Sequence, residues 1–195
     1  SPAAARAFAA ELKRRGADML DAPVSGGEVG AINATLSIMV GGKPAPFARV
    51  NPYFEAMGKN IVHVGDHGAG QVAKACNQVV AAVTIEAVAE ALTFARRSGV
   101  DPAKVRAALL GGFAGSKILE AHGQRMLDND FKPGFKVKLH QKDLKIVMDD
   151  AHRLGLTLPC AALVARHLNA LVDAGDGDLD SAAIVKVVER MPNGS

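Results

Sequence analysis

Residues 71–98 run without a glycine or a proline and are apolar on nearly every side. A stretch of that length with no breaker predicts a single helix on the order of 40 Å long, far longer than any ordinary strand. Apolar residues around its whole circumference predict burial on all sides, so the rest of the chain must supply the helices that surround it. Composition agrees: alanine and valine dominate, tryptophan is absent and Tyr53 is the single tyrosine, which favours closely packed helices over an aromatic-rich sandwich. Lys74, Asn77, Gln78, Glu86 and Glu90 interrupt the run and make it a poor membrane span. With no secretory signal in view, a soluble cytoplasmic protein is the expectation.

Before that helix the pattern is mixed. Ser1-Pro2 predicts a helix start and Gly16 its stop. Residues 19–24, 35–40 and 61–64 are short apolar runs bounded by turn residues, and predict strands, the first of them buried. Residues 45–57 predict a helix ended by Gly58. Three strands and two helices cannot cover both faces of a parallel sheet, so this part reads as the end of a larger domain.

After the long helix, five more are predicted. Asp101-Pro102 starts one that ends at Gly111-Gly112, and Ser116 caps another. Residues 140–154 place Leu144, Val147, Met148, Ala151 and Leu154 at helical spacing. Residues 160–172 and 181–190 complete the set, the last capped by Asp180. The boundary between the two parts falls near residues 65–70, giving domains over 1–66 and 67–195.

The net charge of +3 is spread among acidic residues rather than gathered into a basic block with aromatics, which argues against nucleic-acid binding. Cys76 and Cys160 lie far apart in apolar stretches, with no second cysteine or histidine at metal-ligand spacing. Both are expected to be small core residues in a reducing compartment, and no metal is expected.

Three segments carry possible chemistry. Gly68-Ala69-Gly70 leads directly into the long helix, where Lys74 and Asn77 share a face. Glycines there admit another segment or a ligand close to the backbone, and the first-turn N–H groups favour an anion. A lysine in that positive field, flanked by Ala73 and Ala75, is expected to lose some preference for its charged form and to suit proton exchange; a lysine snorkelling from a helix end is the plainer reading. Asp21-Ala22-Pro23-Val24-Ser25-Gly26-Gly27 is a strand that breaks into a hydroxyl and two glycines, able to grip a carboxylate or simply to turn. Lys142-Asp143-Leu144, preceded by Phe131-Lys132-Pro133-Gly134-Phe135, is either functional or a solvated charged face.

The order DAPVSGG, TLSIMVGG, GAGQVAKACNQ and KDL resembles the β-hydroxyacid dehydrogenases from Ser1 to about Met191. Residues 111–116, FKPGF and residues 139–144 are most similar to the tartronate semialdehyde reductase branch of that family. The resemblance implies an oxidoreductase that uses NAD or NADP on a short 3-hydroxy or 3-oxo acid. It implies Lys74 as the catalytic acid and base, Asn77 orienting the substrate, and Ser25, Gly26 and Gly27 binding its carboxylate. Lys142 would approach the cofactor, while Phe135 and Asp143 would help close the site. The implied fold is an α/β remnant of a Rossmann-type domain followed by an all-α C-terminal domain like that of 6-phosphogluconate dehydrogenase, mainly helical. A homodimer or higher homo-oligomer is implied, with a small carboxylate as substrate and neither nucleic acid nor membrane as partner. Family members begin with a GxGxxG dinucleotide-binding unit that nothing here matches after a predicted strand, so the chain is expected to be a C-terminal portion, inactive by itself. Cys76-Asn77 stands where 6-phosphogluconate dehydrogenases carry His-Asn, which speaks against decarboxylation of a sugar phosphate. The 3-hydroxyisobutyrate dehydrogenase branch is the alternative; a non-catalytic helical dimerisation or binding module is a reading of another class.

Overall fold

The computed structural model describes residues 1–191. The chain divides into two compact units, Ser1–Asn77 and Gln78–Ser195. Helix α4, Ala69–Arg97, runs through the division.

In the first unit, α1 (Pro2–Arg14) begins where Ser1 Oγ accepts the N–H of Ala4 at 3.3 Å. It ends before Gly16, whose φ of +74° turns the chain away. Strand β1 (Val24–Ser25), helix α2 (Gly27–Ile32), strand β2 (Leu36–Gly41), helix α3 (Pro44–Glu55) and strand β3 (Gly58–Gly65) follow. The sheet order is β1-β2-β3, with β1 antiparallel and β3 parallel to β2. Ile38, Val40 and Phe54 form the centre of its core, with Leu20, Leu36, Phe47 and Ile61 packed against them.

Two expectations need correcting here. The strand over 19–24 shrinks to Val24–Ser25 plus a bridge between Asp21 and Gly41. Pro23 has no N–H for the ladder, so pairing breaks there, and Val24 is exposed rather than buried. The sheet is therefore mixed, not parallel. Helix α2 was not expected, because Gly26 and Gly27 read as a turn. The backbone needs them: Gly26 and Gly27 have φ of +132° and +61°, and Gly30 lies against Leu36.

The second unit adds α5 (Pro102–Leu110), α6 (Lys117–Asp128), α7 (Val137–Arg153) and α8 (Pro159–Asp173) to its part of α4. A 3-10 turn, Ser181–Ile184, leads into α9 (Val185–Arg190). Asp101, Ser116 and Asp180 cap as their positions predicted, each accepting a backbone N–H from the first turn. Leu92, Met126, Val137, Leu144, Leu168 and Ile184 are fully buried. On α7, Leu144, Val147 and Ala151 face inward as expected, whereas Leu154 caps the helix and is exposed.

Helix α4 is not buried on all sides. Val80 and Phe94 are 65% and 75% exposed, because the packed elements cover only part of its circumference. By length and hydropathy α4 would suffice to cross a membrane, yet half of that apolar window is buried within the fold, as in a core helix. Cys76 and Cys160 are exposed, not core residues, since each sits on an outward helical position.

Candidate active site

The glycines before α4 admit a neighbouring strand, and the anion at its N-terminus comes from the chain itself. Asp21, 4% exposed, accepts the N–H of Gly68 at 2.7 Å on Oδ1 and that of Gln71 at 3.0 Å on Oδ2. Its backbone exchanges two further bonds with Gly41, at 2.9 and 2.8 Å. A Cβ on Gly70 would lie 2.4 Å from the Met39 carbonyl and 2.5 Å from that of Asp21. Only glycine lets the helix start this close to β2. The carboxylate satisfies N–H groups that helix geometry leaves open and meets the positive end of the helix dipole.

One turn further along, Lys74 leaves α4 and its Nζ donates to the Val24 carbonyl at 2.9 Å. That carbonyl belongs to β1, immediately before Ser25, Gly26 and Gly27. The structure thus brings the predicted lysine to the predicted serine-glycine turn across fifty residues of sequence. Lys74 and Ser25 are half-buried, and Gly26 and Gly27 are exposed. Asn77, half-buried, follows Lys74 on the same face of α4. A cationic donor beside a turn carrying a hydroxyl and backbone N–H groups suits a small molecule with a carboxylate and a neighbouring oxygen.

In the second unit, Asp143 is held between two donors. Gln78 Nε2 donates to Oδ2 at 2.7 Å and Lys142 Nζ lies 2.8 Å from Oδ1. The Lys142 side chain is 61% exposed, so its ammonium remains open to an approaching group. Phe135 sits on the turn before α7, with its ring edge-on to His140 at 5.4 Å. Asp180 anchors that turn by accepting the N–H groups of Gly134 and Phe135 at 3.0 and 2.9 Å.

Sequence reasoning missed Asp21 and Gln78 and saw Asp180 only as a helix cap. Asp21 carried a usable signal: an acid opening an apolar strand needs a partner when buried. Gln78 lies four residues beyond Lys74, hence on neighbouring helical positions.

Two titratable sites in the second unit lie outside these clusters or at their edge. Burial pushes the Glu86 carboxyl above its usual range, opposed by the hydrogen bond from His167 at 2.9 Å and aided by Glu90. Burial pushes His122 below its usual value, with Asp180 opposing and Arg125 adding to the shift. The cation facing Asp180 is therefore Arg125, at 3.3 Å. Among the described residues no group of three or more His, Cys, Asp or Glu side chains is arranged to hold a metal ion.

The α/β unit and the long lysine-bearing helix with the helical unit after it are each covered by a match to known NAD(P)-linked dehydrogenases. Two family models match accordingly: the NAD binding domain of 6-phosphogluconate dehydrogenase over residues 1–65, and the NAD-binding part of NADP-dependent 3-hydroxyisobutyrate dehydrogenase over residues 68–188. The chain belongs to the β-hydroxyacid dehydrogenase family. It is 51% identical over 193 residues to the 2-hydroxy-3-oxopropionate reductase of Escherichia coli K12, covering 99% of this chain and 66% of that one. To the 3-hydroxyisobutyrate dehydrogenase of Pseudomonas aeruginosa it is 38% identical, covering 96% and 66%. The solved 3-hydroxyisobutyrate dehydrogenase of Salmonella typhimurium superposes with a TM-score of 0.88 at 34% identity, covering 96% and 66%. That of Mycobacterium tuberculosis, described with L-serine, gives 0.87 at 36%, covering 98% and 67%. The chain spans about two-thirds of the length of these relatives, 66% of the E. coli reductase.

Proposed function

We propose that this chain forms the substrate-handling part of an NAD(P)-dependent enzyme that reduces tartronate semialdehyde to glycerate, with Lys74 as the proton-transferring residue. The observation that carries the reading is the 2.9 Å bond from Lys74 Nζ to the Val24 carbonyl, which sets the ammonium beside Ser25, Gly26 and Gly27. In reduction, Lys74 gives a proton to the oxygen that becomes alkoxide, and in oxidation it takes that proton back. Asn77 orients the same oxygen, while the Ser25 hydroxyl and the backbone of Gly26 and Gly27 hold the carboxylate, so rate is gained by orientation and charge stabilisation.

The nicotinamide cofactor, when bound, supplies the hydride. Lys142 fits a role on the cofactor side, since its ammonium is exposed yet steered by Asp143, itself fixed by Gln78. The family resemblance also assigns Asp143 and Phe135 to substrate handling. The α4 N-terminus does not fit the cofactor's pyrophosphate, because Asp21 occupies its N–H groups. In this reading residues 1–66 belong to a dinucleotide-binding domain and residues 67–195 form the helical substrate and dimerisation domain. The reading extends to a cytoplasmic protein and to a homodimer or higher homo-oligomer, the association alone being supported by the exposed Val80 and Phe94 on α4.

Replacing Lys74 by Ala in the intact enzyme is expected to lower kcat by about 10²–10⁴-fold while leaving the cofactor dissociation constant nearly unchanged. Turnover near wild type would refute the role. The solved 3-hydroxyisobutyrate dehydrogenases that superpose on this chain favour a second reading, with the same lysine chemistry on methylmalonate semialdehyde. The ratio of kcat/KM on the two aldehydes decides between them.

A further inference from the structure

Asp180 is 1% exposed, and its carboxylate does more than cap a helix. Capping uses Oδ1, which accepts the N–H of Ala182 at 3.0 Å. The other oxygen, Oδ2, reaches back 45 and 46 residues to the N–H groups of Phe135 and Gly134, at 2.9 and 3.0 Å. Arg125 lies 3.3 Å from this oxygen and also donates to the Lys132 carbonyl at 2.6 Å, tying the guanidinium to the same loop. The next residue continues the attachment. Ser181 gives both its backbone N–H and its hydroxyl to the Phe135 carbonyl, each at 3.0 Å, and its Oγ lies 3.1 Å from Nδ1 of buried His140. Both backbone polar groups of Phe135 are thus fixed by two consecutive residues, and its ring rests on the histidine that Ser181 holds.

A loop needs no buried carboxylate merely to turn, and a charge is costly to bury unless it is paired and fully hydrogen-bonded, as this one is. What it gains is a defined direction for the Phe135 side chain and for the start of α7, which carries Lys142 and Asp143. We propose that Asp180, with Arg125 and Ser181 beside it, is a positioning residue that sets Phe135 and the first turns of α7 for substrate and cofactor. This rests on the functional reading above.

The test has two arms. In the intact enzyme, D180N is expected to raise the KM of the 3-oxo acid about tenfold with kcat changed by less than about threefold, since a charge-assisted contact is weakened while Lys74 is untouched. F135A is expected to do likewise, and the double variant to fall short of the product of the two effects, because part of Asp180's action runs through Phe135. Effects that multiply, or an unchanged KM in D180N, would overturn the proposal. In the second arm, amide hydrogen exchange on D180N is expected to speed up at Gly134 and Phe135 but not at Val164 and Leu168 in the buried face of α8. Equal acceleration everywhere, or none at the two loop amides, would overturn it. Should D180N not fold, R125K is carried through both arms with smaller changes expected in the same direction. A wild-type enzyme that turns over no 3-oxo acid would strike the functional reading instead, and the exchange arm then decides alone on the anchor.

Discussion

Single buried groups set the chemistry of this chain's interior. Asp21 and Asp180 are carboxylates taken out of water and repaid by backbone N–H groups. Glu86 is less well compensated: it is 4% exposed, accepts from His167, and its second oxygen has no partner among the described residues. Burial accordingly raises its pKa in the folded state. A carboxyl with a raised folded pKa binds more protons folded than unfolded, so its contribution falls as pH rises from its ordinary value through the raised one. Wild-type stability relative to E86Q is therefore expected to decline as pH rises above the ordinary carboxyl value of 4.5. Urea unfolding of both proteins over that rise checks it, and a flat difference would count against the burial argument.

At the scale of elements, one tight approach in the first unit is that of the α4 N-terminus to β2. Gly70 makes it possible, since a Cβ there would meet two backbone carbonyls that cannot rotate away. G70A is expected to destabilise the protein by about 3 kcal/mol or more, or to prevent folding, through overpacking. By contrast, G99A meets open space and carries only the strain of a φ of +73°, so it is expected to cost about 1 kcal/mol. Denaturant midpoints of the two variants test the comparison. Equal small losses would mean that helix and strand can separate freely. The helices were legible because their caps and stops are local: Ser1, Asp101, Ser116 and Gly16 each act within a turn of their own position. The strand at 19–24 was misread because its pairing depends on Pro23 and on a partner outside the local window.

For the molecule as a whole, the question is what the chain can bind by itself. The glycine-rich turn that leads into α4, Gly65 through Gly70, already holds an anion in Asp21. A dinucleotide pyrophosphate offered to that turn would have to displace a buried carboxylate. Calorimetry of this chain with NADH and with NADPH, on a sample whose mass is fixed by light scattering, is expected to show no binding tighter than about 1 mM, the range left when no phosphate cradle is available. Micromolar affinity would show that the phosphates are held within these residues after all.

The sequence by itself determined the helical bulk, the helix ends and the family, because periodicity, caps and ordered motifs are written in neighbouring residues. It also singled out Lys74, Ser25, Gly26 and Gly27 as belonging to one chemistry, through resemblance rather than through any visible contact. Only the tertiary structure decided that Lys74 meets the Val24 carbonyl, that Asp21 fills the helix N-terminus, and that Asp180 holds the turn at Phe135. It likewise decided that Cys76 and part of α4 face outward. Those outcomes depend on which segments meet across forty or more residues, and a partner brought in by folding leaves no periodic trace in the stretch that receives it.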